Sequence, residues 1–194
     1  MSTIDRRILR SQEAIKKAFI ELMVEKNIDD ITIQDIADRA NVNRRTIYLH
    51  YMDKFDLLDK LIEEHIKKLR EICETTSDMD ILNGSPGWFE YFKQHYSFFS
   101  AMLASKGSPF FRSRFLELVV EDLKNAYNIT EGKNRGLSAD VILQFFGTAC
   151  VGAVEWWFKN EMPYPPLVME EQMMTLLDSM ERLPQFREVG KENI

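Results

Sequence analysis

Asn43, Arg44, Arg45, Thr46, Tyr48 and His50 fall within eight consecutive residues. Their amide, guanidinium, hydroxyl and imidazole groups are the kinds of donor that bond to base edges and phosphates. On a short helix, Ile47 and Tyr51 would share the opposite side, four residues apart. Arg44 and Arg45 alone would fit a solvated basic helix end equally well. The density of long donors around them, with Lys54 following where a new helix begins, favours a nucleic-acid reading surface. The helix N-termini at Thr32 and Asp53 add backbone N–H groups suited to phosphate. No nucleophile paired with a base stands out, nor any set of metal ligands. His65 follows Glu63 and Glu64, but a di-iron bundle wants Glu three residues before the His, where this chain has Ile62. Neither enzymatic chemistry nor a cofactor or metal is expected.

Helices must position these groups, because apolar residues recur at three- and four-residue spacing throughout. Ile15, Ala18, Phe19, Leu22 and Met23 mark a first helix, about Ile8 to Lys26. Thr32 caps a short second helix carrying Ile33, Ile36, Ala37 and Ala40, closed by Asn41, and Asn43 caps the third. Ala37 is small enough for the second and third helices to pack closely over Val42. Asp53 caps a fourth helix, whose stripe from Leu57 through Leu61, Ile62, His65 and Leu69 reaches about Thr75. A polar stretch with Asn83-Gly84 and Ser85-Pro86-Gly87 follows. Further helices are expected at about Trp88 to Ala104, Pro109 to Tyr127, Leu137 to Asn160 and Leu167 to Leu183. The fold class is all-α: a three-helix helix-turn-helix domain over residues 1–52 and a helical ligand-sensing and dimerisation domain over 53–194, bridged by the fourth helix.

Charge divides along the same line. The net charge is −6, yet residues 1–52 carry nine Lys/Arg against eight Asp/Glu, and residues 53–194 sixteen against twenty-three. Only the N-terminal part is suited to lie on phosphate. Two widely separated cysteines, Cys73 and Cys150, fit free thiols in a reducing cytoplasm. With no signal peptide and no run of about 18 uninterrupted apolar residues, neither export nor a membrane partner is expected.

The motifs resemble the TetR family of regulators. Thr32-Ile33-Gln34-Asp35-Ile36-Ala37 is similar to its second-helix signature, and Ala40 to Tyr48 to its turn and recognition helix. His50 to Leu58 is similar to its passage into the fourth helix. The resemblance implies phosphate contacts at Thr32, Tyr48, His50 and Lys54, base-edge contacts at Asn43, Arg44, Arg45 and Thr46, and core positions for Ile47 and Tyr51. Tyr51 stands where phenylalanine is common, so its hydroxyl should need a partner or reach solvent. Farther on, Phe98 to Leu103, Phe110 to Phe115 and Gly152 to Trp157 resemble a branch that includes regulators of dihydroxyacetone kinase genes.

A helix-turn-helix works in pairs on half-sites about one DNA turn apart. Gly147, Ala149, Gly152 and Ala153 would let a partner helix approach, and Met169, Met173, Leu176, Leu177 and Met180 would add an adaptable stripe. The resemblance implies the same four-helix dimer interface. Trp88, Phe92, His95, Tyr96 and Phe99, with Phe115, Phe145 and Trp156, have the make-up of a small-molecule pocket. These expectations describe a ligand-responsive regulator, a repressor binding a palindromic operator as a homodimer. The alternative is a DNA-binding or protein-interaction module with a ligand-blind C-terminal domain.

Overall fold

The computed structural model describes residues 3–75, 87–103, 109–126 and 136–178, and among them the only regular elements are helices. Helix α1 spans Thr3–Glu25, and a 3-10 turn at Ile28–Asp30 leads to α2, Ile33–Ala40. The short α3 is Arg44–Tyr48, and α4 runs Lys54–Thr75. In the C-terminal half follow α5 (Trp88–Gln94), α6 (Tyr96–Leu103), α7 (Pro109–Ala126), α8 (Ala139–Lys159) and α9 (Pro166–Asp178). The first helix begins about one turn earlier than its apolar stripe suggests.

The segment expected as one aromatic helix is two, broken at His95. His95 leaves helical geometry with φ −111° and ψ 33°, and its carbonyl accepts from Phe98 and Phe99 N–H to start α6. The break has a packing cause. On one straight helix Phe98 would point opposite to Phe89, about 180° away at 100° per residue. Re-phasing the chain at His95 frees Phe98 and Phe99 from that direction, and both bury their rings together with Phe89, Tyr91 and Phe92 of α5.

A single apolar core runs from Ile15 and Phe19 of α1 through Leu57 and Leu61 of α4 to Phe92, Phe115 and Trp157. Gly147 of α8 permits the close crossing of α7: a Cβ there would meet Val120 Cγ2 at 2.8 Å and Leu116 Cδ1 at 3.2 Å. It therefore serves contact within the chain rather than with a partner. Helix α8 is long and apolar enough to cross a membrane, but 44% of its most apolar window is buried against the rest of the fold. Glu170 of α9 reaches back to α5, where its carboxylate accepts from Phe89 N–H at 2.7 Å. Both cysteines are free thiols.

Candidate nucleic-acid interface

The turn between α2 and α3 is built locally. Thr32 Oγ1 accepts from Asp35 N–H at 3.1 Å, while the Asp35 carboxylate accepts from Thr32 N–H at 2.8 Å, closing a capping box. Asn41 ends α2 in the left-handed region, φ 52°, a conformation asparagine tolerates better than most residues. Asn43 Oδ1 then accepts from Arg45 N–H at 2.9 Å to cap α3. Ile36, Ala37 and Ile47 are buried between the two helices, and the other side of α3 faces solvent.

On that outer side Asn43, Arg44, Arg45 and Tyr48 are exposed, and Thr46 and His50 are half-buried. Neither arginine side chain makes an ion pair or hydrogen bond among the described residues. Three other cations of the same module are engaged: Arg39 forks onto Glu25 at 2.9 and 2.8 Å, Lys16 meets Glu64 at 2.6 Å, and Lys26 meets Asp35 at 2.9 Å. Arg44 and Arg45 therefore keep all their donors for a partner. Exposed Arg6, Arg7 and Arg10 on α1 are likewise unpaired among the described residues, and sequence reasoning missed them. Three arginines within five residues was the available signal.

Three of the expected contacts have other duties. The Thr32 hydroxyl is held in its capping box, and the Asp35 carboxylate, kept at a pKa of about 2 by Lys26 and then by Thr32, occupies the α2 N-terminus. His50 lies 3.4 Å from Gln12 Nε2 of α1 through its Nδ1, and its carbonyl accepts from Lys60 Nζ at 3.0 Å. Lys54 departs furthest from expectation. Its ammonium donates to the carbonyls of Ile28, Asp29 and Ile31 at 2.8, 2.7 and 2.9 Å, which uses all three N–H bonds. Those carbonyls end the α1–α2 connection, so Lys54 pins the start of α4 to the N-terminal helices, with its N–H bonds taken up within the chain. Lys54→Ala is accordingly expected to lower stability by about 2 kcal/mol, by orphaning charge-assisted bonds. The salt dependence of DNA binding should stay unchanged, whereas a phosphate contact would lower its slope by about one. Denaturant melts and a salt series check both.

Asp53 caps α4 as expected, Oδ1 accepting from Phe55 and Asp56 N–H at 2.8 and 2.9 Å. Tyr51 is buried under the Lys60 ammonium, 5.2 Å above its ring, and burial raises its pKa to about 12. Its hydroxyl makes no hydrogen bond among the described residues.

The C-terminal expectations need more correction. Phe92, Phe99 and Phe115 do meet, at ring distances of 4.8 Å (Phe92–Phe99) and 5.8 Å (Phe92–Phe115), but they are wholly buried and fill the space between them. Trp88 is half-buried, with Nε1 donating to Leu69 O at 3.0 Å. Phe145 and Trp156 are not walls of this cluster. They lie on the outer face of α8, 67% and 45% exposed. His95 and Tyr96 instead border a cleft of about 430 Å³ between α1, α4 and the α5–α6 junction, with Lys16, Ile20, Leu61 and His65. His65, on the apolar stripe of α4, is buried and shares a 2.7 Å hydrogen bond between Nδ1 and the Tyr91 hydroxyl. Burial, then His95 and Lys16, lower its pKa to about 3, so the ring is neutral near pH 7.

Of the expected dimer residues, Ala149 is exposed and Gly152 and Ala153 are half-open. A Cβ on Gly152 would meet nothing within 4 Å. Val141, Phe145, Ala149, Gly152 and Trp156 recur at helical spacing and form one outward stripe. Met169 belongs to the subunit's own core and Met173 packs against that core, leaving Leu176 exposed. Met180 lies outside the described residues.

Residues 15–61 match the model for bacterial regulatory proteins of the tetR family, and residues 80–179 match a transcriptional regulator C-terminal region of the same family. The chain belongs to the TetR family. A TetR transcriptional regulator from Streptococcus agalactiae 2603V superimposes with a TM-score of 0.67 and 26% identity, over 89% of this chain and 96% of that one. FadR from Bacillus subtilis, in complex with stearoyl-CoA, gives 0.62 and 18%, over 87% and 98%. The dihydroxyacetone kinase operon activator DhaS gives 0.61 and 18% and covers 89% of this chain. At 18% identity these two show the fold alone. YxbF, an HTH-type transcriptional regulator of Bacillus subtilis strain 168, is 44% identical over 61 residues, which are 31% of this chain and 16% of that protein. The all-α, two-part TetR architecture expected from sequence is thus found. TetR proteins are regulators rather than enzymes.

Proposed function

We propose that this TetR-family regulator binds a palindromic operator as a homodimer, reads it with α3, and represses transcription by occluding the promoter until a small molecule releases it. The observation that carries the reading is the pair of exposed, unpartnered guanidiniums on Arg44 and Arg45 of α3, in a module where Lys16, Lys26 and Arg39 are engaged in ion pairs. The exposed stripe on α8 supports pairing of two chains. The cleft beside His95 and Tyr96 supports an effector site, because its walls come from both the DNA-reading module and the C-terminal half, and its volume suits a small ligand. A ligand wedged there would tilt α4, and Lys54 would pass that tilt to the recognition helices, whose separation must match a fixed DNA spacing.

Operator selection with the full chain, followed by binding titrations, tests the reading. Arg45→Ala should lose about 1–3 kcal/mol on the selected site and little on random DNA. Unchanged discrimination in both single arginine variants would remove direct readout. Small molecules that release the operator should bind the operator complex more weakly by the same factor. A protein that shifts all DNA equally and answers no ligand would favour the ligand-blind alternative.

A further inference from the structure

Leu49 sits where the recognition helix faces most directly outward, and it is 72% exposed. Taking Ile47 as the core-facing direction, 100° per residue puts Arg45 and Leu49 about 160° away on either side, while Arg44 lies about 60° from it. Leu49 keeps helical backbone angles, φ −70° and ψ −21°, and its N–H bonds to Arg45 O, so it continues the α3 face. An apolar side chain therefore projects at the C-terminal end of α3 on the same outward side as Arg45, beside a surface that also exposes Asn43, Arg44 and Tyr48. Its own chain gives it little to pack against, and it is distant in sequence from the α8 stripe.

A helix seated in the major groove meets mostly donors and acceptors on the base edges. The apolar exception is the C5 methyl of thymine. We propose that Leu49 is a specificity-determining residue that packs on a thymine methyl in each half-site. Arg45 and Leu49 are four residues apart, about 6 Å along the helix, against about 3.4 Å per base pair. The thymine therefore lies within about two base pairs of the base read by Arg45. The inference rests on the regulator reading above and adds what the operator must contain.

The test uses the full-length protein and its selected operator, with each thymine replaced in turn by deoxyuridine, which removes the methyl alone. At one thymine per half-site, the replacement should weaken wild type about fourfold, the worth of one buried methyl group. Leu49→Ala should bind the thymine and deoxyuridine operators equally, while the discrimination due to Arg45 persists. A melting curve matching wild type shows that this exposed substitution leaves the fold intact. Identical deoxyuridine effects in both proteins would overturn the proposal. So would an equal loss on operator and random DNA, which would place Leu49 against the sugar-phosphate backbone. If wild type selects no sequence, the regulator reading falls with it. If selection and Arg45 dependence hold without the methyl effect, only this inference falls.

Discussion

Phe145→Glu is expected to leave a folded chain that sediments as a monomer and has lost most of its operator affinity. Phe145 is exposed in the isolated chain and sits mid-stripe on α8, with Val141 and Ala149 one turn to either side. A two-fold interface uses every residue twice, so the substitution removes two phenylalanines. At about 2–3 kcal/mol for each buried ring, the dimer would weaken by about 4–6 kcal/mol, or roughly three to four orders of magnitude. The two introduced carboxylates would add repulsion. Gly152→Leu probes the same surface by bulk: nothing in the chain lies within 4 Å of the added Cβ, so the subunit tolerates it while a close partner helix would not. Sedimentation of both variants at micromolar concentration is decisive, and dimers of wild-type affinity would move the interface elsewhere.

The second large effect is expected at the joint between α9 and α5. Glu170 is buried, and its carboxylate takes the Phe89 N–H at the N-terminus of α5, where the helix dipole favours a negative charge. Gly87 makes room for it, since a Cβ there would overlap Glu170 Oε1 and meet Cδ at 2.6 Å. Glu170→Ala should cost about 2–3 kcal/mol, because a buried donor loses a charged acceptor. Gly87→Ala should cost a comparable amount by displacing the carboxylate. The double variant should cost clearly less than the sum, since with Glu170 gone the new methyl meets no carboxylate. Additive losses in denaturant melts would show that the two residues act independently.

The DNA-reading module was legible because its determinants are local. Thr32 with Asp35, Asn41, Asn43 and Asp53 announce caps and turns within four residues of their partners, and Ile36, Ala37 and Ile47 follow from helical spacing. The bonds of Lys54 were not legible because the carbonyls it binds lie 23–26 residues earlier, with nothing in the sequence to mark them. Helix α8 is apolar on nearly every side, so periodicity could not assign Phe145 and Trp156 to a face. The break at His95 and the buried Glu170 answer to packing between segments far apart in the chain, and Glu170 bonds a residue 81 positions away.

The core that α4 shares with α1 also bears on what a transferable unit is in such a protein. The expected boundary after residue 52 would sever Leu57 and Leu61, both buried, from Phe19 and Ile47, and would free the carbonyls that Lys54 holds. A fragment cut there would present a raw apolar surface to water. The piece that could be grafted intact onto another sensor must run at least to Leu61, the residue at which the N-terminal family match ends. A chimaera that kept this core intact would therefore have to join sequences partway along α4. The splice then has to preserve helical phase: inserting or deleting one residue would rotate the appended sensor by about 100° relative to the DNA.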